Sequence, residues 1–412
     1  MLAYRVQLVN LVSFRFLFLA LIPLVIVALN LFCGFSSRLS LLTRRFSSST
    51  LASHFSSASI TMSYRKELKI AELAVQQATL LTQRVFHEKA KGTLSKDDKS
   101  PVTIGDFGAQ ALIIHAIRRN FPTDEIVGEE EASSLRENKD LSNQIWELVN
   151  TTKLNDEASE EQLGGSMKTE WEMLQAIDAG QSAGGRHGRI WALDPIDGTK
   201  GFLRGGQYAV CLALIVDGHV KVGVLGCPNL PVDNSAPLSA DVGDESGEGR
   251  GVLFAAVLGS GAVSRPLSRG ALEDSHPIHM KEVTDIAQAT FCESVEAGHS
   301  SHDDQAMIAK KLGIVKESVR MDSQAKYGSI ARGAGDLYLR LPVRADYQEK
   351  IWDHAAGDLI VREAGGQVTD VEGRRLDFSQ GRTLKENKGV VAAPKNVHEQ
   401  VLSAVRSVLG SI

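Results

Sequence analysis

The chain has 412 residues, more than one ordinary domain, and its composition of 43% hydrophobic and 23% charged residues is that of a globular protein with a large core. A net charge of −5 gives no electrostatic footprint for nucleic acid, and none is expected as a partner. Cys33, Cys211, Cys227 and Cys292 are scattered without a CxxC pair, which argues against a zinc site or a disulfide framework and suits a reducing compartment.

Residues 1–62 differ in kind from the rest. Their charged residues are Arg5, Arg15, Arg38, Arg44 and Arg45, with no Asp, Glu or Lys. Phe16 to Ser37 is uncharged and mostly apolar, long enough for a membrane span of roughly 20 residues. A serine-rich stretch from Ser47 to Ser59 follows. Three readings stand side by side: a mitochondrial presequence, translation from Met62 to give a cytoplasmic product, or a membrane anchor. In each the segment lies outside the fold and is the only expected membrane contact.

From Met62 onward the elements alternate. Leu68, Ala71, Val75, Ala78 and Thr82 share one helical face, which predicts a helix over 64–90. A second helix starts near Asp106, a position that suits a first-turn acid. Residues 125–129 read as a strand running into an acidic turn. Residues 150–189 are polar and Gly/Ser-rich and are expected to be an insertion loop, with a short helix at 167–178. Ile190 to Leu193 reads as a buried strand, and 208–216 and 219–225 as a hairpin turned by Asp217-Gly218. A Gly/Pro/Asp-rich loop covers 228–250. Strands are expected at 251–258, 277–281, 290–294, 317–321, 335–341, 367–370 and 389–393, and helices at 302–312, 324–332, 353–364 and 395–409. Such mixing over this length suggests two α+β lobes, 63–260 and 261–412, sharing a cleft.

The most informative residues are Asp194-Pro195-Ile196-Asp197-Gly198-Thr199, at the end of the 190–193 strand. Pro195 fixes its own φ, and Gly198 permits a sharp turn. Such a turn can aim two carboxylates and a carbonyl at one point, the oxygen cluster that a hard divalent cation requires. An Asp-Gly surface turn is the competing reading. Glu129, Asp353 and Asp106, taken alone, read as a solvated acid and two helix-start acids. Asp106-Phe107-Gly108 matches a kinase triplet, but no glycine-rich nucleotide loop precedes it and no His-Arg-Asp loop exists, so a kinase is rejected.

Together these pieces resemble the lithium-sensitive, magnesium-dependent phosphatase superfamily of inositol monophosphatase and fructose-1,6-bisphosphatase. The resemblance runs from about Tyr64 to Ile412. Lys99-Ser100-Pro101-Val102-Thr103, Gly298-His299-Ser300-Ser301-His302, Asp322-Ser323-Gln324-Ala325-Lys326-Tyr327-Gly328, Tyr338-Leu339-Arg340-Leu341-Pro342 and Ile351-Trp352-Asp353-His354 look like its fungal and plant 3'(2'),5'-bisphosphate nucleotidase branch.

The resemblance implies a layered αβαβα sandwich with the site between two lobes. It implies two or three Mg²⁺ ions held by Glu129, Asp194, the Ile196 carbonyl, Asp197 and Asp353, and inhibition by Li⁺ and Na⁺. It makes Asp106 and Thr199 a water-activating pair, and it gives substrate contacts to Thr199, His299, Ser323, Lys326, Arg340 and Asp353. The implied reaction is hydrolysis of the 3'-phosphate of adenosine 3',5'-bisphosphate, or of its sulfated relative, by a monomer serving sulfur metabolism and salt tolerance. Rival readings are an inositol polyphosphate 1-phosphatase or monophosphatase, and a non-enzymatic metal or nucleotide sensor.

Overall fold

The first amphipathic stretch forms helix α1, Arg65–His87. Its buried surface is wider than the expected stripe, because Ile70, Leu73, Ala74, Leu81 and Val85 are buried along with Ala71, Val75 and Ala78. The cause is packing on two sides, against helix α2 (Ile104–Asn120) and against a β-sheet. The computed structural model describes residues 64–87, 93–95, 101–242, 248–296, 301–344 and 346–410. These all belong to one compact unit.

Between α1 and α2 lies a small antiparallel pair, β1 (Thr93–Ser95) and β2 (Pro101–Thr103). The main sheet follows the chain in order: β3 (Glu125–Gly128), β4 (Arg189–Asp197), β5 (Ala209–Val216), β6 (His219–Pro231), β7 (Arg250–Val257), β8 (Ala262–Pro266) and β9 (His276–Ile278). Only the β3–β4 pair is parallel. The β5–β6 hairpin turns at Asp217 (φ 50°) and Gly218 (φ 78°), the two positive φ values that match strand twist in a tight hairpin. A second sheet is built from β10 (Phe291–Glu293), β11 (Val319–Arg320), β12 (Leu337–Arg340), β13 (Gly366–Thr369) and β14 (Val390–Pro394), in the order β11-β10-β12-β14-β13.

Side-chain alternation shows how the layers stack, since successive strand residues point to opposite faces. In β4, Trp191 and Leu193 enter the core shared with α1 and α2, whereas Ile190 and Ala192 enter a second core. That second core contains α9 (Ala325–Ala331) and α10 (Ala355–Glu363), and its far wall is Tyr338, Val390 and Ala392 of the second sheet. The opposite face of that sheet, Leu337, Leu339, Val391 and Ala393, packs on α8 (His302–Leu312) and α11 (His398–Leu409). The order is therefore helix, sheet, helix, sheet, helix, the αβαβα sandwich expected.

Several details differ from the sequence reading. Residues 150–189 are not a bare loop. The helix expected at 167–178 is present as α6 (Glu170–Asp178), α5 (Glu157–Gln162) is unforeseen, and Leu154, Leu163, Met167, Met173, Ala176 and Ile177 enter the main core. α5 is too short to show a sustained period, yet the caps of both helices are explicit. Asp156 accepts the Ser159 N–H, and Thr169 accepts the Glu172 N–H. Two further unforeseen helices, α3 (Ser133–Glu137) and α4 (Lys139–Thr151), precede them. The first sheet continues past residue 260 to Ile278. Residues 1–62 lie outside the described residues. Among those described, no helix is long and apolar enough to cross a membrane.

Candidate active site

Asp194 and Asp197 would lie on opposite faces of a regular strand. They do not, because β4 pairs Asp194 with Cys211 and Asp197 with Ala209, so three steps on β4 match two on β5. This β-bulge adds one residue at Pro195-Ile196 and resets the alternation. Both carboxylates then reach one cleft of about 380 Å³, with Asp194 accepting the Ile196 N–H at 3.1 Å. Gly198 ends the turn at φ 86° and caps the short helix α7 (Thr199–Arg204). A Cβ there would sit 3.0 Å from Cβ of Ser323, so the turn needs glycine for both its backbone and its space.

Glu129 follows β3 and reaches the same cleft. Its backbone is held from two sides. Gln110 of α2 donates to the Glu130 carbonyl at 2.6 Å and accepts the Glu130 N–H at 3.0 Å. Gly128 donates to the Gly180 carbonyl at 2.7 Å. The acidic run is thus no free solvated loop, and Glu130 is buried.

Asp353 precedes α10. Gln324 connects its segment to the β4 turn, with its N–H donating to Asp197 Oδ2 at 2.5 Å and its side chain to the Trp352 carbonyl at 2.8 Å. The same side chain accepts the Gly357 N–H at 3.0 Å.

Two of the cations expected from the sequence, Lys326 and Arg340, face these acids. Lys326, 2% exposed, donates to the Met321 carbonyl at 3.0 Å and lies 5.2 Å from the Tyr338 ring centre. Arg340 donates to Glu349 at 2.8 Å, with its other end 4.0 Å from Asp353. Sequence reasoning missed Glu349 and its partner His354. Their ligand atoms and those of Asp353 lie within 4.8 Å of one another, which resembles a metal cluster. Glu349, however, is occupied on both oxygens, by Arg340 and by His354 Nε2 at 3.2 Å. Burial pushes its carboxyl up, but Arg340 and His354 outweigh this and hold it at about 2. The ionised Glu349 carboxylate can only accept, so His354 Nε2 carries the proton toward it, and Nδ1 meets the Tyr327 hydroxyl at 2.9 Å. This chain orients Arg340 and does not offer free ligand atoms.

The other expected residues fall as follows. Asp106 is buried in the first turn of α2, near enough to Asp194 to raise its pKa, but it is not among the cleft-lining side chains. Thr199 lines the cleft, and its hydroxyl donates to the Ile196 carbonyl at 3.1 Å. Ser323 lines the cleft at φ 68°, a rare conformation for serine, and its hydroxyl accepts the Ala325 N–H at 3.1 Å. His299 lies outside the described residues. Lys200, Tyr347, Lys350 and Arg382 also line the cleft, and the sequence reading assigned none of them a role. A larger hollow of about 940 Å³ between α8 and β11 contains none of the expected site residues.

The electrostatics test the fit of a metal. Burial, then Glu129, Asp197, Asp353 and Asp106, push Asp194 well above the usual carboxylate range. Burial and Asp197 do the same to Asp353, against the pull of Arg340. Burial raises Asp197 to about 6 although Lys326, the Gln324 N–H and Arg340 oppose it. Burial, with mutual repulsion added, thus raises Asp194, Asp197 and Asp353 together in one cleft. An all-oxygen, acid-rich set of this kind fits hard divalent cations such as Mg²⁺.

A sequence profile described as the inositol monophosphatase family matches residues 63–409. The chain belongs to the inositol monophosphatase family. Within it, a 3'(2'),5'-bisphosphate nucleotidase of Emericella nidulans is 70% identical over 350 residues, covering 84% of this chain and 99% of that protein. Proteins of the same name from Schizosaccharomyces pombe and Oryza sativa are 49% and 42% identical, each over 84% of this chain and over 97% and 95% of theirs. The family fold recurs in the Thermotoga maritima IMPase (TM-score 0.53, 20% identity, 83% of this chain and 98% of that one). It recurs again in a Zymomonas mobilis inositol monophosphatase (TM-score 0.52, 18% identity, 84% and 99%). These matches make the chain a phosphatase.

Proposed function

We propose that the chain is a 3'(2'),5'-bisphosphate nucleotidase, removing the 3'-phosphate of adenosine 3',5'-bisphosphate, or of its sulfated relative, to leave the 5'-linked group. The observation that carries this reading is the opposition of two cations, the buried Lys326 and the partly buried Arg340, to the acids Glu129, Asp194, Asp197 and Asp353 in one cleft. The acids suit a cation-bridged phosphate under attack, and the cations suit a second anionic group on the same small molecule.

Glu129, Asp194, Asp197, Asp353 and the Ile196 carbonyl would hold two or three Mg²⁺ ions. When bound, Mg²⁺ supplies positive charge to the phosphoryl oxygens and makes water a better nucleophile. The protein's own part is orientation and proton transfer. Thr199 turns its hydroxyl from the Ile196 carbonyl toward the attacking water and accepts its proton, while Asp106 takes the hydroxyl's own proton. Lys326 and Arg340 fix the nucleotide end, and Ser323 adds a hydroxyl contact. Inhibition by Li⁺ and Na⁺ follows if these ions enter the same acidic sites. The enzyme acts as a monomer.

Phosphate release from adenosine 3',5'-bisphosphate and from inositol 1,4-bisphosphate tests the assignment. Faster turnover of the nucleotide is expected, and a clear preference for the inositol substrate overturns it.

A further inference from the structure

Arg382 belongs to no motif of the chain and sits in the segment between β13 and β14. Its guanidinium nevertheless makes more connections across the cleft than its own element explains. It donates to the Gly128 carbonyl at 2.6 Å, the residue before Glu129. It donates to the Ser182 carbonyl at 2.9 Å and the Gly180 carbonyl at 3.3 Å, and Gly180 in turn accepts the Gly128 N–H. Its carbon Cζ lies 4.8 Å from the ring centre of Trp352, the residue before Asp353.

The main chain repeats these connections. Arg382 accepts the Ile351 N–H at 3.2 Å, Leu384 donates to the Glu349 carbonyl at 2.8 Å, and Lys350 bridges Thr383. On the other side, a Cβ on Gly184 would lie 3.0 Å from the Gly381 backbone, so the 180–184 and 380–384 segments pack backbone to backbone.

We propose that Arg382 is a positioning residue that sets the separation of Glu129 and Asp353, and through it the affinity of the cleft for Mg²⁺. The inference rests on reading those two acids as Mg²⁺ ligands. A guanidinium suits the role because its planar fork serves several carbonyls at once while its face stacks on indole, and an ammonium can do neither in that geometry. Groups that orient metal ligands change metal affinity by about tenfold to a hundredfold when removed.

The test is Mg²⁺ binding to the full chain, by calorimetry and by the rise of Tm with added Mg²⁺, for wild type, Arg382→Lys and Arg382→Gln. Both variants are expected to need about tenfold to a hundredfold more Mg²⁺ for half-saturation. KM for substrate at saturating Mg²⁺ is expected to stay near the wild-type value. Half-saturation unchanged in the Lys variant overturns the proposal. Tighter Mg²⁺ binding by Arg382→Gln also overturns it, since the guanidinium would then act only as a repelling charge beside Glu129. A wild-type chain that binds no Mg²⁺ removes the ligand reading itself, and the inference with it.

Discussion

Asp197 accepts the backbone N–H of Gln324 at 2.5 Å, across 127 positions of sequence. That bond joins the bulged turn of β4 to the helix start that carries Lys326, so an acid for the cation and a cation for the substrate are set by one contact. Asp197→Asn keeps an acceptor for Gln324 and removes the charge. Mg²⁺-dependent turnover is expected to fall at least about a hundredfold, the scale for losing one electrostatic element of a site. The Tm without Mg²⁺ is expected not to fall. Steady-state kinetics and a thermal melt check both, and retained turnover would remove Asp197 from the ligand set.

Lys326→Met keeps the length of the side chain and removes its charge. A charge-assisted contact is worth about 1.5–3 kcal/mol, roughly one to two powers of ten in kcat/KM. The loss is expected on adenosine 3',5'-bisphosphate and to be much smaller on a phosphate ester with one anionic group. Equal losses on the two substrates would mean that Lys326 does not read the second phosphate.

The crowded acids predict a pH-dependent stability. Burial and neighbouring charges raise Asp194 and Asp353 well above the usual range and Asp197 to about 6. A folded-state pKa above the unfolded value of about 3.9 means that the folded chain holds extra protons. Without Mg²⁺, stability is therefore greatest below about pH 4 for these groups and falls as pH rises through about 6. Bound Mg²⁺ replaces the protons. Added Mg²⁺ should raise Tm more at about pH 7.5 than at about pH 5, corresponding to about 2.7 kcal/mol at a hundredfold excess over Kd. An equal rise at the two pH values would contradict this.

Gly198→Ala places a Cβ 3.0 Å from Cβ of Ser323 on a backbone at φ 86°. A left-handed non-glycine residue costs about 1–3 kcal/mol. The Tm should drop accordingly, and turnover should drop with it, because the same turn carries Asp197 and Thr199. Unchanged activity would mean that the turn tolerates displacement.

Deleting residues 1–61 to begin at Met62 is expected to leave kcat and KM unchanged, since the family match starts at residue 63. Comparing the two chains in the same assay checks it. A large loss of activity would give residues 1–61 a part in the site.

Much of this was legible from the chain. The helix over His302–Leu312 has the bounds its spacing predicts, with Ser301 as its cap. The β5–β6 hairpin turns where Asp217-Gly218 said it would. The αβαβα layering and the ligand set came from resemblance and not from periodicity. What stayed hidden is of two kinds. A short capped helix such as α5 buries only a few residues, too few to show a period, whereas α6 falls within the helix expected at 167–178. The groups that hold the site in shape, Gln110, Gln324, Glu349 and Arg382, act through backbone carbonyls, amides and long-range pairs, and no local pattern marks such contacts. The bulge at Pro195-Ile196 lies between. The proline and glycine announce a turn, but only the pairing with β5 shows that the extra residue turns both acids to one side.

The proposed reaction in this cleft is removal of a 3'-phosphate from a nucleotide with Mg²⁺ bound. Phosphorus NMR of adenosine 3',5'-bisphosphate with the full chain and Mg²⁺ tests it most directly. The expected result is loss of the 3'-phosphate signal, growth of inorganic phosphate and a retained 5'-phosphate, all abolished by chelating the metal. Loss of the 5'-phosphate, or no reaction while inositol 1,4-bisphosphate is hydrolysed under the same conditions, would contradict it.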